Sequence, residues 1–133
     1  MSFDEPLFLD VEDVVELHAT QLEVYGGSAG LRDRGLLESA VAQPQASFGG
    51  EFTHEGLFAM AAAYLFHIVS NHPFVDGNKR AGLLSAVVFL DVNGISIDHP
   101  SEALYELTMS VAESRINKAA VAVELERIAK AKS

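Results

Sequence analysis

Two long stretches of this chain, Leu57 to Val69 and Leu83 to Val92, are apolar on every side and not along one stripe. Leu57, Phe58, Met60, Tyr64, Leu65, Phe66, Ile68 and Val69 leave the first of them no polar face. A helix of that kind belongs inside a protein, with other elements wrapped around it. Both runs are too short and too interrupted to cross a bilayer. The chain is therefore expected to build around two central buried helices. The segment that joins them is their opposite: His72-Pro73-Phe74-Val75-Asp76-Gly77-Asn78-Lys79-Arg80 sets an imidazole, a carboxylate, an amide, an ammonium and a guanidinium side by side. No Lys or Arg occurs between Arg34 and Lys79. Two adjacent cations opening a buried helix are poorly explained as surface decoration, so function is expected here.

Four further helices complete the pattern. Asp10 is a good N-cap, Glu12 and Asp13 put negative charge in the first turn, and Val11, Val14, Val15, His18 and Leu22 recur at helical spacing. Gly26-Gly27 ends this first helix. A second runs from about Asp33 to Gln43 and is stopped by Pro44. Gln45 to Glu51 reads as irregular. Thr53 is expected to cap the third helix, which reaches about Asn71. The fourth runs from about Gly77 to Asn93, capped by Asp76 and closed by Gly94. Ile95-Ser96-Ile97 is at most a short extended piece. Pro100-Ser101-Glu102 opens a fifth helix and Asn117 a sixth, with Lys130 and Lys132 at the end the macrodipole favours. Six helices without a convincing strand pair make the expected class all-α, a compact six-helix bundle in one domain over residues 1–133.

Composition narrows the partners. A net charge of -10 argues against direct nucleic-acid binding, which needs a basic face to displace counterions, and against anionic membranes. With no cysteine, thiolate metal sites, disulfides and a cysteine nucleophile are excluded. Met1 to Pro6 carry acids where a secretory leader has a basic region, so a cytoplasmic location is expected.

The joining segment suggests its chemistry. Pro73 forces its predecessor out of the helical region, so the third helix ends near His72. The first turn of the fourth helix presents unpaired N–H groups and partial positive charge, a ready phosphate site. Gly77 lets a phosphate approach, and Lys79 and Arg80 add full charges. His72 stands across a short loop from that mouth. Phe74 is read as a core plug, Asn78 as a residue that could satisfy loop carbonyls, and Arg32 and Asp33 as ties for the first connection. His54-Glu55 begins like a zinc-protease motif, but Phe58 stands where its second histidine belongs. No Walker loop is present.

The nine-residue segment resembles the signature of the Fic/Doc superfamily, in particular its death-on-curing branch. Tyr25-Gly26-Gly27 through Gly30-Leu31-Arg32-Asp33, Gly35 to Ala40, and Ala86 to Gly94 are similar to that branch in the same order. The broader Fic pattern has Gly where this chain has Lys79 and a second Arg where it has Leu83. The resemblance therefore implies a toxin that transfers the γ-phosphate of ATP to a protein Ser/Thr hydroxyl, and not AMP. It implies His72 as general base, since an imidazole ordinarily titrates near neutrality. It implies Asp76 as the Mg²⁺ ligand. Gly77, Asn78, Lys79 and Arg80 would form the anion hole that positions the phosphoryl group.

The same resemblance implies a translation factor as target, elongation factor Tu foremost. It makes Gln45 to Thr53 a flap for the target peptide. Glu55-Gly56 is the nearest approach to an inhibitory helix motif, but Glu51 stands where Ser or Thr is needed. Inhibition is then expected in trans, from an antitoxin whose disordered tail folds on binding. The alternatives are an AMP transferase on the same fold and a catalytically idle binding module.

Overall fold

The computed structural model describes residues 5–99 and 101–131, so the expectations placed on Met1 to Asp4, Pro100 and Lys132 lie outside the described residues. Six α-helices carry the fold: α1 (Val11–Tyr25), α2 (Arg34–Ala42), α3 (Leu57–Asn71), α4 (Asn78–Val92), α5 (Glu102–Ala112) and α6 (Lys118–Ala131). α3 is the axis, packed against α2, α4, α5 and α6. Met60, Ala61, Ala62, Tyr64, Leu65 and Ile68 of α3 and Ala81, Ala86, Phe89 and Leu90 of α4 are all in the core. The fold is all-α, as the two apolar runs require. No helix among the described residues is long and apolar enough to cross a membrane.

Short side chains set how closely the two central helices meet. A Cβ at Gly82 would lie 2.8 Å from Val69 Cγ2 and 3.2 Å from the Leu65 carbonyl oxygen. Valine there would force α3 and α4 apart. Gly82→Val is expected to lose about 1–3 kcal/mol of stability, read as a lower urea midpoint.

Where a helix is capped from within a few residues, the start matches expectation. Asp10 and Asp13 form a reciprocal capping box, Asp33 accepts from Leu36 N–H, Ser101 from Leu104 N–H, and Asn117 from Ala120 N–H. Thr53 does not cap α3, which starts four residues later at Leu57 behind Gly56. The reason is a small antiparallel hairpin, β1 (Ser47–Phe48) and β2 (Glu51–Phe52), in a segment expected to be irregular. Thr53 N–H extends it by donating to the Ala46 carbonyl at 2.9 Å. Thr53 is thus held in the hairpin, and Gly56, with φ 91°, turns the chain into α3. Gly94 (φ 93°) closes α4 as expected, and Ile95 to Ile97 form no strand.

One group at the α3–α6 contact couples stability to pH. His67 Nε2 lies 2.9 Å from Lys118 Nζ. Burial, then the Lys118 charge and His54, lower the His67 pKa from 6.5 to about 4. Between those values the unfolded chain binds a proton that the folded chain refuses, so stability is full above pH 6.5 and declines as pH falls toward 4. The ring is half-buried and screened, which limits the effect to roughly 1 kcal/mol. Urea unfolding at pH 7 and pH 5 measures it, and His67→Gln should flatten the difference.

Candidate active site

The loop between α3 and α4 is held from three directions. At its start, His72 adopts a left-handed conformation (φ 54°, ψ 54°), uncommon for a residue with a Cβ. Pro73 bars the helical alternative. Arg32 stabilises the turn: its Nε donates to the His72 carbonyl at 2.8 Å and its Nη2 to the Asn71 carbonyl at 3.2 Å. A cation thus caps the negative end of α3. The N–H groups of Arg32 and Asp33 both donate to the Pro73 carbonyl, and Val75 N–H to the Gly30 carbonyl. Arg32 was expected to tie down the first connection; it ties that connection to this loop.

From inside, Asn78 clasps the loop. Its Oδ1 accepts from Phe74 N–H at 2.9 Å and its Nδ2 donates to the Phe74 carbonyl at 3.0 Å, both buried. The side chain of Asn78 is therefore committed to the protein, and only its backbone N–H is left for a ligand. Phe74 is 1% exposed, a core plug as expected. From below, α1 supplies a support that the sequence did not reveal. The His18 ring stacks on Phe74 with centroids 3.8 Å apart and planes 7° apart. His18 Nε2 donates to the Asp76 carbonyl at 2.7 Å, which fixes the proton on that nitrogen because a carbonyl only accepts. A histidine recurring on an apolar helical stripe was the only sequence signal of this role.

Asp76 is not the N-cap of α4. Its Oδ2 accepts from Ser28 N–H at 3.1 Å and its Oδ1 from Gly77 N–H at 2.8 Å. These bonds, more than the nearby Arg80 and Lys79 charges, hold the carboxyl below its usual range. The cap position falls to Gly77, left-handed at φ 80°, with no side chain closing the helix. A Cβ at Gly27 would stand 2.9 Å from Asp76 Oδ2, so only glycine lets the Ser28 turn come this close. Among the described residues the N–H groups of Asn78, Lys79 and Arg80 have no acceptor. The mouth of α4 is open.

His72, Asp76, Gly77, Asn78, Lys79 and Arg80 all line one cavity of about 530 Å³, with Tyr25, Leu83 and Tyr105 among its other walls. His72 is exposed and its ring has no hydrogen-bond partner among the described residues. Elsewhere, Arg34, Arg115, Arg127 and Lys130 are ion-paired with glutamates. Lys79 and Arg80 have no such partner among the described residues. Arg80 instead lies over the Tyr25 ring, 4.4 Å from its centroid. All six anticipated residues are thus in one place, with the Gly77 N–H and the Asn78 amide already occupied by the protein. No group of three or more acids or histidines suited to a metal occurs among the described residues.

Residues 8–90 match the Fic/DOC family. The chain is 37% identical over 120 residues to a protein named Toxin Doc from Mycolicibacterium smegmatis, covering 89% of this chain and 90% of that one. It is 35% identical over 117 residues to a protein named Protein kinase doc from Escherichia phage P1, covering 88% and 91%.

Proposed function

Because the chain belongs to the Fic/DOC family, we propose that it is the toxin of a toxin–antitoxin pair and a phosphotransferase that uses ATP to modify a protein hydroxyl. The observation that carries this reading is the open mouth of α4, where three unpaired N–H groups and two cations without an ion-pair partner among the described residues share a cavity with an imidazole that makes no hydrogen bond. Oxyanions of a triphosphate seat at such a helix start. Lys79 lines the cavity, and its side chain would crowd the position that a glycine leaves open for an α-phosphate in AMP-transferring Fic enzymes. Apolar Leu83 lines the wall where those enzymes carry a second arginine. Both features support the terminal phosphate at the mouth, and with it transfer of the γ-phosphoryl group.

In this reading the His72 ring takes the proton of an incoming Ser or Thr hydroxyl as its oxygen bonds to the γ-phosphorus. The bond from that phosphorus to the bridging oxygen breaks and ADP leaves. Lys79, Arg80 and the N–H groups of α4 hold the phosphoryl oxygens while their charge redistributes. The donor set suits Mg²⁺: among the described residues Asp76 is the one carboxylate lining the cavity, its carboxyl is held below its usual range, and Mg²⁺ commonly takes one carboxylate with phosphate oxygens and water. Bound through Asp76, that ion would neutralise phosphate charge. His18, Arg32 and Asn78 hold the loop in register for all of this.

The target class is a translation factor, with elongation factor Tu as the specific proposal, and the exposed hairpin at Ser47–Phe52 is the surface that would align its peptide. An antitoxin whose tail folds on this domain would supply inhibition, and the cytoplasm is where the pair would act. The test is incubation of a lysate with ATP labelled at either the α or the γ position. Label entering a protein from the γ position alone supports the kinase. Entry from the α position establishes the AMP transferase.

A further inference from the structure

We propose that Tyr25 is a positioning residue for Arg80, holding its guanidinium at the mouth of α4 without neutralising it. The inference rests on the assignment of Arg80 to the phosphate grip. In a chain with 19 acidic residues, a guanidinium that lies over an aromatic face and makes no ion pair among the described residues, although the Asp76 carboxylate shares its cavity and feels its charge, calls for a reason. A carboxylate would orient Arg80 equally well but cancel much of the charge an incoming phosphate needs. A ring face attracts the flat side of the guanidinium and leaves the in-plane N–H donors at its edge free for oxyanions.

The location of Tyr25 reinforces this. It is the last residue of α1, whose final turn contains no basic residue, so the carbonyl end of that helix is uncompensated and also attracts a cation. His18, Leu22 and Tyr25 lie on one stripe of α1. His18 holds the Asp76 carbonyl, and Leu22 Cδ2 stands 3.1 Å from where a Gly27 Cβ would be. Tyr25 meets Arg80. One face of α1 thereby fixes the loop backbone, the glycine turn beside Asp76, and the cation. It also accounts for a large aromatic left 55% exposed at the cavity wall.

The test is a double-mutant cycle read by calorimetry of Mg-ATP binding, using Tyr25→Leu, Arg80→Ala and the pair. Tyr25→Leu should weaken binding about threefold to tenfold in the parent protein. It should have no further effect once Arg80 is alanine, and Tyr25→Phe should restore affinity because the ring alone is required. If leucine at this exposed site causes unfolding or association, Tyr25→Gln removes the ring equally. An equal loss in the Arg80→Ala background, an unchanged affinity in Tyr25→Leu, or failure of phenylalanine to restore it overturns the proposal. Coupling without γ-label transfer keeps this inference and removes the kinase reading. Transfer without coupling removes this inference alone. Absence of ATP binding removes both.

Discussion

Replacing His72 with asparagine is expected to lower phosphoryl transfer about 100- to 10,000-fold, the range that a positioned general base contributes. ATP affinity should stay within a small factor of the parent, because the N–H groups, Lys79 and Arg80 are untouched. Asparagine is preferable to alanine as the test residue. His72 sits at φ 54°, and asparagine tolerates the left-handed region far better than alanine does. The substitution therefore removes the proton acceptor while sparing the turn that Arg32 holds. Single-turnover transfer from γ-labelled ATP, set beside a binding isotherm, separates the two effects. Equal losses in binding and transfer would mean that His72 shapes the loop and takes no proton.

The second large effect belongs to Asn78, and it is structural first. Asn78→Ala deletes both bonds to Phe74 and leaves a buried N–H and a buried carbonyl without partners. Each orphaned group costs about 1–3 kcal/mol, so a total loss of roughly 2–6 kcal/mol is expected by urea denaturation. Activity should fall further than the unfolded fraction explains, since Phe74 locks the loop between His72 and Asp76. Asn78→Asp sharpens the reading. Its carboxylate still accepts from Phe74 N–H but cannot donate to the Phe74 carbonyl, so it should recover only part of the stability. Full stability in Asn78→Ala would show that the clasp does not hold the loop.

How much of this was legible in the sequence follows from the range of the interactions. The caps at Asp10, Asp33, Ser101 and Asn117 act over three residues, and each was readable from residue type and spacing. The two apolar runs fixed which helices are central because burial on every side leaves no other position. The cluster from His72 to Arg80 was legible because it is contiguous. What escaped was set by contacts between distant segments. Thr53 has the chemistry of a cap, but the pairing of Ser47 with Phe52 draws it away. Asp76 is also a good cap by type. Ser28, 48 residues earlier, offers it an N–H, and Gly77 takes the left-handed cap position in its place. That exchange leaves the helix mouth open, which a side-chain cap would have closed. His18 reads as one more member of an amphipathic stripe until Phe74 and Asp76 come to lie against it, 58 residues along the chain in the latter case.

The account stands on the terminal phosphate entering the mouth of α4, and the phosphorus spectrum of ATP during titration with the protein reports that directly. The γ resonance should shift most, with the α resonance least affected, and Arg80→Ala should suppress the γ shift. A spectrum in which the α resonance moves while the γ resonance stays at its free position would contradict the account.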